Sequence, residues 1–332
     1  MKLVSFLNRD KGQAGLLMGD NIYELSATPV TMQYILDNWD ESIAAIKTVA
    51  EMGASGRVSG IPVHAVPLLA PVPHPTSCRD GYAFRQHVAS ARRNRKVPMT
   101  PEFDQYPVFY FTNHNSIIGP GAIKCMPDHF HKLDFELEAA IVICKKGRNI
   151  KAAEADQYIG GLMIMNDMSA RTLQMEEMLL NLGPAKGKDF ATVIGPWLVT
   201  LDELQQHETA PKPGHIGKSW NLAMRCWVNE KQVSAGNLAD MDWTFAELIE
   251  RASYGADLYP GDVIGSGTVG TGCFLELNGT GKLNDPDYKE QWLQEGDTVV
   301  MEIEGLGRLE NKIEREDKEF SILAQKKLTA EK

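Results

Sequence analysis

The order of apolar and polar positions divides the chain into two stretches. KLVSFL, GLLMG and IYEL, the last two separated by Gly19-Asp20-Asn21, read as short strands joined by tight turns. From about Thr31 to Ala50 the spacing is helical. IPVHAVPLLAPVPHP follows, where Pro62, Pro67, Pro71, Pro73 and Pro75 stiffen the backbone and exclude a helix. A boundary is placed there, giving a small β-rich N-terminal domain over residues 1–72 and a catalytic domain over residues 73–332. Beyond it YPVFYFTN, LDFELEAAIVIC, YIGGLMIMND, GPWLVTL, LAMRCWVN, GDVIGSGTV, CFLELNG and GDTVVMEIEGLG are strand-like. Helices are expected over about Ser169–Leu180 and Thr244–Ala252, and the tail EDKEFSILAQKKLTAEK reads as partly frayed. The sum is a β-rich α+β fold without regular βαβ alternation or internal repeat.

Composition narrows the function without naming it. The 332 residues are 43% hydrophobic and 23% charged, ordinary globular proportions. A net charge of −10, from 34 basic and 44 acidic residues, argues against nucleic acid or an anionic membrane as partner. It leaves small anionic substrates open. The five cysteines are scattered without a CxxC pair, so neither a disulfide framework nor a zinc ribbon is expected. No stretch of about 18 apolar residues occurs, and charge appears early in MKLVSFLNRD; the expectation is a cytoplasmic protein.

Candidate chemistry begins with Leu133-Asp134-Phe135-Glu136-Leu137-Glu138. Read as a strand, the segment turns Asp134, Glu136 and Glu138 to one face and Leu133, Phe135, Leu137 and Ala139 to the other. Carboxylates crowded at the mouth of the buried run AAIVIC repel one another, and a divalent cation would relieve them; an edge strand with a solvated acidic face is the alternative. Asp167 ends the run GLMIMND, and Asp167, Arg171 and Gln174 then share a stripe at helical spacing, a site or simply a surface ion pair. Asp80 and His87 lie seven apart just past the proline-rich segment.

Together these pieces resemble the fumarylacetoacetate hydrolase family. The segment Asp80 to His87, the strand Leu133 to Glu138, NDMSARTLQ, GPAKGKDF with IGPWLV, GDVIGSGTVGTG with FLELNG, and GDTVVMEIEGLG occur in the family's order, from about residue 76 to 311. The resemblance implies a fumarylacetoacetase-type mixed β-sandwich or roll. It places the metal ligands on Asp80, Glu136, Glu138 and Asp167, and the base on His87, oriented by Glu276. Arg171, Gln174 and Lys188 become the group around the oxyanion, with Tyr82, Tyr110 and Thr268 in the substrate pocket. A homodimer is implied, as is a role in aromatic-compound catabolism.

Two departures bear on the substrate. Met175-Glu176-Glu177-Met178 stands where the type enzyme has W-E-Y, removing a substrate-contacting tyrosine, and Arg95 and Lys96 stand where it has an arginine, Lys96 being taken as a substrate contact.

Four carboxylates without Cys or His suit a hard cation, magnesium foremost, with calcium and manganese as alternatives. The expected reaction is hydrolysis of a carbon–carbon bond in a 1,3-dicarbonyl or acylpyruvate, similar to fumarylacetoacetate or fumarylpyruvate. The alternatives are a hydratase, isomerase or decarboxylase of meta-cleavage oxo acids, or a non-catalytic metal-binding or interaction protein. Gly265-Ser266-Gly267-Thr268-Val269-Gly270 satisfies the dinucleotide pattern, but CFLELNG after it reads as a strand where a helix is needed. Gly217-Lys218-Ser219 lacks the upstream glycine of a P-loop, and His129 and His131 read as polar loop residues. Met163, Met165, Met168, Met175 and Met178 are expected in the core or lining the pocket.

Overall fold

The strand Leu137–Ile143 is buried along its whole length, and its alternation sorts its residues between two cores. Leu137, Ala139, Ile141 and Ile143 face one cluster, while Ala140 and Val142 face another. Its neighbour Ile159–Asp167 splits in the same way, with Leu162 and Ile164 on one side and Met163 and Met165 on the other. A strand covered on both faces reads as a continuous apolar run, which is why AAIVIC and GLMIM carry no polar interruption. The computed structural model describes residues 1–8, 10–26 and 28–327.

These strands lie in the middle of a large mixed sheet. From edge to edge it runs Ile61–Pro62, Asn21–Glu24, Lys11–Met18, Lys2–Asn8, Thr192–Val199, Ile159–Asp167, Leu137–Ile143, Val263–Gly265, Cys78–Gly81 and Phe109–Thr112. Along this path only Val263–Gly265 and Cys78–Gly81 pair in parallel. A five-stranded sheet, ordered Lys231–Asn237, Ala223–Val228, Thr298–Ile303, Gly307–Arg315 and Gly121–Cys125, covers one face. Its Met224, Met301, Ile303 and Ile313 share a core with Ile141 and Val193. The other face carries helices near the N-terminus, through Met32, Ile35, Leu36 and Ile46. The architecture is the expected β-rich α+β fold.

Residues 1–72 add their four strands directly to the edge of the large sheet, Lys2 and Leu3 pairing with Val199 and Leu198. The helical stretch after them is two helices, Met32–Asp37 and Trp39–Ala54, interrupted at Asn38, whose backbone leaves the helical region. The helix expected from Thr244 is present as Phe245–Ser253, and Thr244 with Glu247 forms a reciprocal capping box. In the tail only the single turn Leu323–Gln325 is regular, and residues 328–332 lie outside the described residues. Among the described residues no helix is long and apolar enough to cross a membrane.

Candidate active site

Asp80, Glu138 and Asp167 stand at the ends of neighbouring strands and continue the sheet face that carries Cys78, Ala140, Val142, Met163 and Met165. Asp80 is in register with Gly265, which in turn pairs with Ala140. A Cβ at Gly265 would sit 2.5 Å from Asp80 Oδ1 and 2.8 Å from Met165 Sδ. The bare backbone there gives Asp80 room to lean across the intervening strand. Glu136 joins from the residue before Leu137–Ile143, and each of the four acids then presents an oxygen within 4.8 Å of the others.

Two cations brace this cluster. Lys188 Nζ donates to Glu136 Oε2 and, at 2.6 Å, to Asp167 Oδ2. Arg171 Nη2 donates to Glu136 Oε1 at 2.7 Å, and its Nε donates to Asp134 Oδ2 at 2.9 Å. Burial alone would raise the Glu136 pKa, but Lys188 and Arg171 overcome it and hold that carboxyl well below the usual range. Asp80 has no such partner. Burial, reinforced by the Asp167 charge, pushes it up to about 8. Burial and then Asp80 itself push Glu138 well above the usual carboxylate range.

The cluster fits a divalent cation. Tyr110 Oη and Lys188 Nζ both donate to Asp167 Oδ2, leaving Asp167 Oδ1 buried without a hydrogen-bond partner. An acceptor orphaned in this way calls for an ion or a proton. With Asp134 included, five buried carboxylates meet two cationic side chains, and a hard divalent ion removes most of that imbalance.

His87 lies in the helix Arg85–Asn94, and its Nδ1 is 2.7 Å from Glu276 Oε2 in the helix Phe274–Asn284. Glu276 Oε2 also accepts from the backbone N–H of Thr271 at 3.0 Å, which fixes the carboxylate. Tyr82 packs edge-on against the imidazole, ring centroids 5.9 Å apart. His87 and Glu136 meet in a second acceptor cluster completed by Cys273, so the imidazole borders the acidic site. Both sites open on one cavity of about 640 Å³, lined by Asp80, Tyr82, His87, Tyr110, Glu136, Arg171, Gln174, Lys188, Thr268 and Glu276.

Residues 76–314 match the family described as fumarylacetoacetate (FAA) hydrolase, C-terminal. The chain belongs to the fumarylacetoacetate hydrolase family. It is 31% identical over 303 residues to the human mitochondrial oxaloacetate tautomerase FAHD2A, covering 89% of this chain and 84% of that protein. It is also 31% identical over 251 residues to the fumarylacetoacetase of Oryza sativa subsp. japonica, covering 63% of this chain but only 58% of the rice protein. Maleylpyruvate hydrolase from Sphingobium sp. SYK-6, solved with manganese(II) and pyruvate, shares the fold with a TM-score of 0.68 at 21% identity, over 95% of this chain and 99% of that one. Fumarylacetoacetate hydrolase family members are enzymes, and those named here include both hydrolases and tautomerases.

Four sequence-based expectations need correction. Asp134 does not face the other acids. The strand breaks after it, where Asn166 Oδ1 accepts the N–H of Glu136 at 3.0 Å, and Asp134 instead accepts from Phe274 N and Leu275 N at 2.7 and 2.9 Å. The segment FLELNG is not a strand but the start of the helix Phe274–Asn284, with Asp134 holding its first amides. The ground for rejecting a dinucleotide site therefore falls, yet the loop faces carboxylates rather than a phosphate: Gly267 N donates to Asp80 and Glu138, and Thr271 N to Glu276. The fourth concerns Lys96. The helix ends at Asn94, Lys96 turns away with φ 58°, and it is Arg95 that reaches the cavity wall.

Other contributors carry no reactive group that would single them out. Asn166 and Gly265 lie within the motif segments and shape the acidic cluster through a backbone bond and a missing side chain, while Lys132, just before Leu133, and Trp292 line the cavity.

Proposed function

We propose that this chain is a divalent-metal-dependent hydrolase that cleaves a carbon–carbon bond in an acylpyruvate-type 2,4-dioxo acid, releasing a carboxylic acid and a 2-oxo acid. The observation that carries the reading is the His87–Glu276 pair facing the acidic cluster across one cavity. Asp80, Glu136, Glu138 and Asp167 would hold the ion, with magnesium the best fit to an all-oxygen ligand set and manganese or calcium as substitutes. When bound, the ion supplies a Lewis acid that stabilises negative charge on a dicarbonyl.

The chain's own groups divide the remaining work. Glu276 takes the Nδ1 hydrogen bond, so in neutral His87 the free lone pair is on Nε2. His87 Nε2 removes a proton from water as the water oxygen attacks the acyl carbon. The carbon–carbon bond breaks with its electron pair on the departing carbon, which takes the proton held by the His87 imidazolium to give the 2-oxo acid and restore neutral His87. Glu276 stabilises the imidazolium formed meanwhile.

The oxyanion at the attacked carbonyl needs free donors. The bonds described above commit Arg171 Nε and Nη2 to carboxylates, and its Nη1 donates to Gln174 Oε1 at 3.0 Å, so Arg171 chiefly positions Glu136 and Gln174 and keeps one Nη1 N–H to donate. That bond leaves the Gln174 Nε2 amide to donate, and Lys188 keeps one N–H beyond the two it gives to Glu136 and Asp167.

A second reading is keto–enol tautomerisation of a 2-oxo acid, favoured by likeness to the oxaloacetate tautomerase over 84% of that protein. It would use His87 to move a proton with no attack by water. Assays of acylpyruvates, fumarylpyruvate, fumarylacetoacetate and oxaloacetate, with and without chelator, decide between them. Metal-dependent release of a carboxylic acid, lost in His87→Ala, supports hydrolysis, whereas enol–keto exchange without bond cleavage supports tautomerisation.

A further inference from the structure

The helix Arg171–Met178 stands with its first turn on the floor of the cavity and its last turn at the mouth. Arg171, Gln174, Met175 and Met178 fall on one stripe and all line the cavity, but exposure rises along them, from 2% at Arg171 to 43% at Met175 and 46% at Met178. At 1.5 Å per residue the stripe climbs about 10 Å, and its chemistry changes from cationic to apolar as it does so. Other apolar groups line the same cavity: Leu275 beside Glu276, Val108 and Phe109 beside Tyr110, and Trp292. Trp292 is held in place by its Nε1 donating to Glu290 at 3.0 Å.

We infer that this wall takes an uncharged acyl tail, so that the preferred substrate is an acylpyruvate with an extended aliphatic or aryl group rather than a short dicarboxylic oxo acid. The inference rests on the functional reading above and specifies its substrate. Two cations also reach the wall. Lys132 lies 3.7 Å from the Glu290 carboxylate and over the Trp292 ring, which occupies its charge. Arg95 is exposed, its Nε donating to Ala91 O at 3.1 Å, and it contributes little as an anchor in bulk water. Methionine side chains adapt to irregular apolar shapes, which suits Met175 and Met178 to a variable tail.

The test is an acylpyruvate series from acetyl to octanoyl, beside ω-carboxylated members of equal length. We expect kcat/KM to rise about fourfold for each methylene buried until the wall is spanned, with the uncharged member preferred at each length. Met178→Gln should flatten the gradient and Met178→Leu should preserve it. Binding of the same series to His87→Ala reads the wall without turnover, so a binding gradient without hydrolysis by wild type would fault the chemistry and leave the wall intact. A flat series in both measurements, or preference for the ω-carboxylate, overturns the inference. So does a Met178→Gln variant that changes oligomeric state but keeps the gradient, since the methionines would then belong to a contact between copies of the chain.

Discussion

His87 Nδ1 and Glu276 Oε2 are 2.7 Å apart although 189 positions separate them in sequence, and Thr271 N holds the same carboxylate oxygen. The pair sets which imidazole nitrogen faces the cavity. Glu276→Gln keeps the shape but loses the charge that supports the imidazolium, and His87→Ala loses the base altogether. Both should lower kcat by about a hundredfold to ten-thousandfold, with metal binding intact. Steady-state kinetics alongside metal titration checks this.

Lys188 is buried between Glu136 and Asp167. Lys188→Met strands two carboxylates in a dry site, and the expected loss is about 3–5 kcal/mol of unfolding free energy. Urea titrations in chelator should show that loss. A saturating divalent cation should restore part of it, because the ion compensates the same charges.

The metal-free protein should lose stability as pH rises. Asp80 has its pKa raised from 3.8 to about 8, so the folded state binds a proton more tightly than the unfolded chain between those values. The stabilisation is full below about pH 4 and is lost as pH climbs through about 8. Metal binding must displace that proton, so affinity should increase with pH over the same range. Denaturation in chelator at pH 5 and pH 8, with calorimetry in buffers of different ionisation enthalpy, measures both effects.

Gly265→Ala should weaken metal binding, since its new methyl would meet Asp80 Oδ1 and Met165 Sδ. Asp134→Asn should act differently. It weakens the ion pair with Arg171 and the hold on the amides of Phe274 and Leu275, at a cost of about 1–3 kcal/mol. One ion should still bind. Calorimetric titration of both variants separates ligand geometry from structural support.

How far this site could be read in sequence depended on where each residue obtains its geometry. Glu138 opens one long apolar run and Asp167 closes another, and Asp80 follows a proline-rich boundary, so residue type and position mark them, and the family's motif order ties them together. Alternation groups Asp134 with the other acids only along an unbroken strand, whereas the strand stops at Asp134 and the Glu136 amide turns to Asn166, thirty residues away in sequence. FLELNG carries closely spaced apolar residues ahead of an Asn-Gly pair, which favours a strand locally. Its helix depends on a cap from Asp134, a contact no local pattern records. The family resemblance offers Arg95 and Lys96 together, and sequence does not show the left-handed turn at Lys96 that leaves Arg95 on the cavity wall.

On this reading Asp80, Glu136, Glu138 and Asp167 would hold one hard divalent ion beside His87. Anomalous diffraction from crystals soaked in manganese tests it most directly. One strong peak bonded to oxygens of all four carboxylates is expected, absent in Glu138→Gln crystals. A peak bound elsewhere, or density at the cluster that persists in that variant, would contradict it.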